Sequence, residues 1–190
     1  MADGPRKLDR PALERAASEL IRALGLDAAA EPELAQSPAR IADYLSEACS
    51  AHGLAPPELK TFPHPGGEEL VLVRGIRFHS LCVHHFAPFF GRAMVAYLPG
   101  ASIIGVSGAV RLVDFYARRP QLQERMTRQI ADHLETLVRP AGVAVVLEAR
   151  HLCMEMRGVK RPAVMETRVV RGALAEPRFA EALRAERSSS

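Results

Sequence analysis

Residues 69–99 read ELVLVRGIRFHSLCVHHFAPFFGRAMVAYLP. The flanking pieces "ELVLVRGIRFHSL" and "GRAMVAYLP" are rich in valine, isoleucine and aromatic residues, the composition of strands. "CVHHFAPFFG" joins them, so the stretch predicts a hairpin-like strand pair with Cys82, His84 and His85 at its connection. A second pair follows downstream, "GVAVVLEARHLCMEM" and then "VMETRVVRG". Between the pairs lie two stretches of helical period. "AVRLVDFYARR" is expected to bury Val110, Val113 and Tyr116. "PQLQERMTRQIADHLETLVRP", starting at Pro120, aligns Leu122, Met126, Ile130, Leu134 and Leu137 on one side.

The order strand–strand–helix–helix–strand–strand predicts an α+β domain: an antiparallel four-stranded sheet with one face covered by the two helices. Such a sheet has two open edges, and long edges invite pairing with another copy of the chain. Upstream, residues 1–62 form an N-terminal helical region, and residues 63–190 form the main domain. "LDRPALERAASELIRALGLD" spaces Leu13, Ala17, Leu20, Ile21 and Leu24 helically, with Asp9 as N-cap. "SPARIADYLSEACSAHG" offers Ser37 as a cap, Pro38 at the first helical position and Gly53 past the end. Its stripe of Ile41, Leu45 and Ala48 is expected to meet the first helix. The proline- and glycine-rich "APPELKTFPHPGGEE" connects the two regions, and the tail "EPRFAEALRAERSSS" reads as a short helix that frays.

Composition narrows the class. The 190 residues are 48% hydrophobic and 25% charged, ordinary values for a globular protein. No apolar run is long enough to cross a bilayer, and the first residues lack the apolar core of a secretory signal. Three cysteines without framework spacing fit a reducing cytoplasm. The net charge of +3 is mild, tryptophan is absent and basic residues are scattered, which argues against a nucleic-acid surface. Arginine outnumbers lysine near the motifs, which suits small anionic ligands such as phosphates.

Cys82 and His85 are separated by two residues, a spacing that lets one turn of chain wrap a tetrahedral ion. A further ligand is available from "ARHLCMEMRG", which contains His151 and Cys153. Cys–His–Cys supplies three protein ligands, and soft sulfur favours Zn2+ over magnesium or calcium. Three ligands leave a position for water, as in catalytic zinc sites, although a zinc clip that only staples the fold uses the same residue types. His84 and His151 sit within two residues of these ligands. Each is suited to proton transfer, or to supporting a ligand by a hydrogen bond. Cys49 reads as a small apolar residue of the second helix. His52, His64, His79 and His133 read as surface or loop residues.

These segments resemble GTP cyclohydrolase I. "SLCVHHFAPFFGRAMVAYLPGASIIGVSGAVRLVDFYARRPQLQERMTRQIADHL" followed by "CMEMRGVKRP" carries the resemblance, which extends over about residues 37–172. The resemblance implies the tunnelling fold, a toroidal homodecamer and active sites at subunit interfaces. It implies Cys82, His85 and Cys153 as zinc ligands and His84 and His151 as catalytic histidines. By position, Gln123 and Glu124 match the purine anchor, and Ser107, Arg111 and Arg157 match the ribose and triphosphate contacts. The implied reaction is water attack on C8 of GTP, loss of formate and reclosure to 7,8-dihydroneopterin triphosphate, the first step of pterin and folate biosynthesis.

Three positions depart from the family pattern. Val83 replaces an acidic residue in the family's "CEHH", Gly108 replaces the lysine of "GLSK", and Val164 and Met165 stand where serine and threonine are usual. These losses of polar groups raise two alternatives: a divergent cyclohydrolase taking a guanine nucleotide with fewer phosphates, or an inactive binding or assembly paralogue.

Overall fold

A computed structural model describes residues 8–27, 30–67 and 69–184. The chain divides into two compact units, Met1–Ala55 and Pro56–Ser190.

In the first unit, helix α1 (Arg10–Ala23) starts at Asp9, whose carboxylate accepts from the Ala12 N–H at 2.9 Å. A 3-10 turn over Pro32–Gln36 runs directly into helix α2 (Ser37–Ala48), which packs on α1. Ser37 is therefore the first residue of α2 and not its cap. Ala17 and Ile21 are buried, whereas Leu20 and Leu24 are 54% and 67% exposed. A two-helix layer covers a narrower stripe than the sequence offers. Cys49 is buried at the end of α2, and burial raises its thiol pKa, in keeping with an inert apolar role.

The second unit is built on a mixed sheet. Strands β1 (Thr61–Pro63) and β4 (Ser102–Ile104) form a small antiparallel ribbon. The main sheet runs β5 (Pro120–Gln121), β2 (Val71–Cys82), β3 (Pro88–Leu98), β6 (Gly142–His151) and β7 (Val164–Gly172), the last four each antiparallel to its neighbour. Helices α3 (Val106–Ala117) and α4 (Gln123–Val138) cover one face. These four strands and two helices make the antiparallel layer and helical cover expected from the sequence. Strand β5 (Pro120–Gln121) was not foreseen: it pairs in parallel with Leu81 and Cys82, so α4 begins at Gln123 and not at Pro120.

The helical cover is held by period. Met126, Ile130, Leu134 and Val138 recur every fourth residue on α4 and are all buried. They meet Val143, Val145 and Leu147 of β6, each large side chain contributing roughly 1.5–3 kcal/mol. On α3 the buried stripe is Ala109, Leu112, Val113 and Tyr116. Val110 is 44% exposed, contrary to expectation, because it lies one residue out of phase with that stripe. His133 is half-buried, with Nδ1 3.2 Å from the Tyr116 hydroxyl.

The opposite face is covered over only part of its area. Leu174, Leu183 and Phe179 pack on Met94, Ala96, Leu98, Ala144 and Val146. Those stretches of β3 and β6 are thus buried on both faces and read as continuous apolar runs. The tail forms a 3-10 turn over Pro177–Phe179 instead of an α-helix, and residues 185–190, where fraying is expected from the sequence, lie outside the described residues.

Gly91 fixes how closely β3 and β6 approach. A Cβ placed there would fall 1.8 Å from the Glu148 carbonyl oxygen, a backbone atom that cannot swing aside. Gly91→Ala should cost about 3 kcal/mol, read as a lowered urea midpoint with an unchanged m-value.

Candidate active site

The site gathers where three strand ends meet. Strand β2 ends at Cys82, whose carbonyl accepts from the His85 N–H at 3.2 Å and the Phe86 N–H at 2.8 Å. Phe86 takes a left-handed φ of 53°, which lets the chain fold back so that Cys82 N–H donates to Ala87 O at 2.9 Å. This single turn sets His85 Nδ1 3.9 Å and His84 Nδ1 3.8 Å from Cys82 Sγ. Strand β6 ends at His151, opposite Phe89 of β3, and the short helix α5 (Leu152–Glu155) then carries Cys153 inward.

The ligand atoms of Cys82, His85 and Cys153 all lie within 4.8 Å of one another. Tetrahedral zinc, at about 2.3 Å from sulfur and 2.0 Å from nitrogen, spaces its ligand atoms roughly 3.5–3.8 Å apart. The observed spacing and the donor set, two thiols and one imidazole, fit that ion. The cluster is graded from a buried Cys82 through a half-buried Cys153 to an exposed His85, so one side opens to solvent. Burial, and then the neighbouring Cys82, raise the Cys153 thiol pKa. An Arg157 guanidinium nitrogen lies 2.8 Å from His85 Nε2, on the ring edge away from the sulfur.

His151 is fixed on two sides. Its ring stacks on Phe89 at 4.6 Å with an interplanar angle of 3°. Its Nε2 lies 2.8 Å from Gln123 Oε1. Gln123 opens α4 and is 1% exposed; its Nε2 reaches Leu147 O at 3.0 Å, Met165 O at 3.0 Å and Thr167 Oγ1 at 3.2 Å. Carbonyl oxygens can only accept, so the amide nitrogen must face them and the amide oxygen must face His151. That oxygen accepts the Nε2–H of His151 and leaves Nδ1 as the nitrogen able to exchange a proton. Burial lowers the His151 pKa, and the Glu124 carboxylate opposes the shift.

Other candidate residues lie elsewhere. Glu124 is exposed on the first turn of α4 and acts electrostatically on His151. Ser107 and Arg111 are exposed on α3, whose start follows the end of β3 remote from Cys82. Among the described residues no hydrogen bond or ion pair joins them to the cysteine–histidine cluster. Gly108 is buried, and a Cβ there would make ordinary contact with Ile104 Cβ at 3.4 Å. Val83 is half-buried and its N–H donates to Gln121 O. At the Met165 departure the contact made is through the backbone, and a hydroxyl is supplied nearby by Thr167, 2.6 Å from Thr127 Oγ1. Sequence reasoning missed Phe89 as the platform of His151, and also Thr167. Phe89 carried a weak signal, as a strand aromatic beside the histidine pair; Thr167 carried none.

Two helices on one face of an antiparallel sheet, with a thiol–imidazole cluster and a pinned histidine at the strand ends, define a tunnelling-fold protein with a candidate catalytic metal centre. The GTP cyclohydrolase I family profile matches residues 13–186. GTP cyclohydrolase 1 of Thermobifida fusca is 45% identical over 176 residues, covering 90% of this chain and 84% of that protein. The Bacillus pumilus and Desulforamulus reducens proteins of the same name are 43% and 46% identical, covering 93% and 86% of this chain and 94% and 89% of their own lengths. The chain belongs to the GTP cyclohydrolase I family.

Proposed function

We propose that the protein is a zinc-dependent GTP cyclohydrolase that opens the imidazole ring of GTP at C8. It releases formate and yields 7,8-dihydroneopterin triphosphate, the entry to pterin and folate biosynthesis. The observation that carries this reading is the convergence of Cys82, His85 and Cys153 beside a histidine held in one orientation. A zinc ion held by those three residues supplies Lewis acidity and makes water a nucleophile near neutral pH.

The chain's own residues then divide the work. His151, with Nε2–H bonded to Gln123, presents Nδ1 as the atom that gives a proton to the purine imidazole and later recovers it. Burial favours its neutral ring, so the protonated form is the minor one and gives up its proton readily. His84, exposed on the turn beside Cys82, serves as the second proton carrier. Glu124 is free to accept from the guanine N–H groups, and discrimination by such hydrogen bonds rejects bases that lack them. The burial of Gln123 supports a positioning role for it: it orients His151, leaving the carboxylate of Glu124 to hold the base. Arg157 beside the cluster, with Ser107 and Arg111, provides for the ribose and phosphates.

Those last two residues support assembly. Strand β3 leads away from the cluster, and Ser107 opens α3, whose 12 residues at about 1.5 Å each span about 18 Å before the chain reaches Pro120 beside Leu81 and Cys82. A substrate touching both Ser107 and the cysteine–histidine cluster is best served by two copies of the chain. Strand β7 supplies a nine-residue edge for pairing. We therefore infer a ring-shaped homo-oligomer, a decamer as the family resemblance implies. Thiolate ligands also need a reducing compartment, which points to the cytoplasm. Among the described residues no helix is long and apolar enough to cross a membrane.

The test is to incubate zinc-loaded protein with GTP, GMP and guanosine and to assay formate and pterin fluorescence. Formate from GTP is expected; full zinc occupancy with no turnover of any of the three would overturn the proposal. Gly108 favours one second reading, a substrate with fewer phosphates, because it removes a cation from the helix that also carries Arg111. GMP turnover exceeding GTP turnover in the same assay would identify that case.

A further inference from the structure

The sheet face that carries no helix is covered only in part, and its open half is charged. On β2, Ile76 and Phe78 point into the helical core, so Arg77 and His79 project to the other side. On β3, Arg92 shares the parity of Met94, which packs under the C-terminal segment. Arg77 and Arg92 are direct cross-strand partners. Like charges placed opposite one another on a sheet destabilise it. Both guanidinium groups are exposed, and neither forms an ion pair among the described residues.

The neighbouring charges on this face have other partners as well. Arg150 is held by the Glu155 carboxylate at 2.5 and 2.9 Å. Glu166 is bonded to Arg168. Glu148 lies opposite Arg92 on one side and opposite Glu166 on the other in register. Burial, then Glu166, raises its pKa, and the Arg168 and Arg92 charges oppose that shift, so Glu148 is shared among Glu166, Arg168 and Arg92. Arg74 donates to the Ala182 carbonyl. A bulge between Val73 and Ile76, with Gly75 at φ +68°, leaves open space beside Arg74.

Arg77 and Arg92 line a cleft of about 220 Å³ with His79 and Phe90 as its wall. The two rings stack at 5.8 Å and 26°. A smaller hollow, about 30 Å³, shares Arg92 and runs to Arg74 and Gly75.

We propose that this cleft binds an oxyanion of the phosphate class, clamped between the Arg77 and Arg92 guanidinium groups and separate from the cysteine–histidine centre. Two planar, permanently charged forks from adjacent strands suit a tetrahedral oxyanion, and a bound anion relieves their mutual repulsion. The His79–Phe90 wall gives an aromatic phosphate ester a surface that free phosphate does not use.

The experiment measures binding of inorganic phosphate and of phenyl phosphate to the zinc-loaded full chain by calorimetry. Arg77→Gln and Arg92→Gln should each weaken binding about tenfold or more. Arg157→Gln, which removes an anion contact beside the metal centre, should leave this binding in place. Phenyl phosphate binding more tightly than phosphate would assign the site to an aromatic ester, and equal affinity to free phosphate. To remove dependence on variants, tungstate diffused into crystals of the unsubstituted protein should give an anomalous peak between Arg77 and Arg92. No binding to the unsubstituted chain, loss of binding only in Arg157→Gln, or a tungstate peak absent from this cleft would overturn the proposal.

Discussion

Serine in place of Cys153 should strip the purified chain of most of its zinc and lower formate release from GTP by at least about a hundredfold. The reasoning starts from softness: a hydroxyl is a poor substitute for a thiolate toward zinc, and even changes outside the ligand shell cost 10–100-fold in affinity or activity. Cys153 is a better probe than Cys82. It stands half-buried on the short α5, whereas Cys82 is 6% exposed and belongs to the helical core cluster. Loss of metal and activity with an unchanged thermal midpoint before zinc loading isolates the ligand role. Metal content is read by mass spectrometry on the same preparation as the formate assay. Retained stoichiometric zinc in Cys153→Ser would mean that the ion sits elsewhere.

The second large effect is expected at Gln123. Gln123→Leu keeps the volume but removes the acceptor for His151 Nε2–H and the donor shared by Leu147 O and Met165 O. Freeing the imidazole to rotate should lower kcat about a hundredfold, the scale of effect a misplaced catalytic group produces. Buried carbonyls left without a donor cost about 1–3 kcal/mol each, so the midpoint of urea unfolding should fall as well. Steady-state kinetics separate two roles for this side chain. If Gln123 orients His151, kcat falls and KM moves little. If it instead grips the purine in the ground state, KM rises at nearly constant kcat.

The candidate metal cluster was legible because its spacing is local chemistry: Cys82 and His85 share one turn, and only Cys153 had to arrive from a distant segment, the short α5 that follows β6. The four long strands were legible through their valine, isoleucine and aromatic content, and the two covering helices through the 3.6-residue period. Gln123 was harder. In sequence it is a polar residue at a helix start, and only the pairing of β6 with β7 brings Leu147 O, Met165 O and Thr167 around it. Strand β5 is two residues long, too short to carry a period, and its pairing with Leu81 and Cys82 moved the start of α4 by three residues from Pro120 to Gln123. The C-terminal segment's cover over β3 and β6 likewise has no local signal. It explains why those strands run apolar without alternation while Arg77 and Arg92 on the uncovered half stay charged.

Zinc K-edge X-ray absorption on the purified, catalytically assayed protein addresses the central claim at the atoms themselves. Ligation by Cys82, His85 and Cys153 predicts one zinc per chain in a four-coordinate shell of two sulfur scatterers at about 2.3 Å and two nitrogen or oxygen scatterers at about 2.0 Å. A shell containing no sulfur, or a fully active preparation without stoichiometric metal, would contradict it.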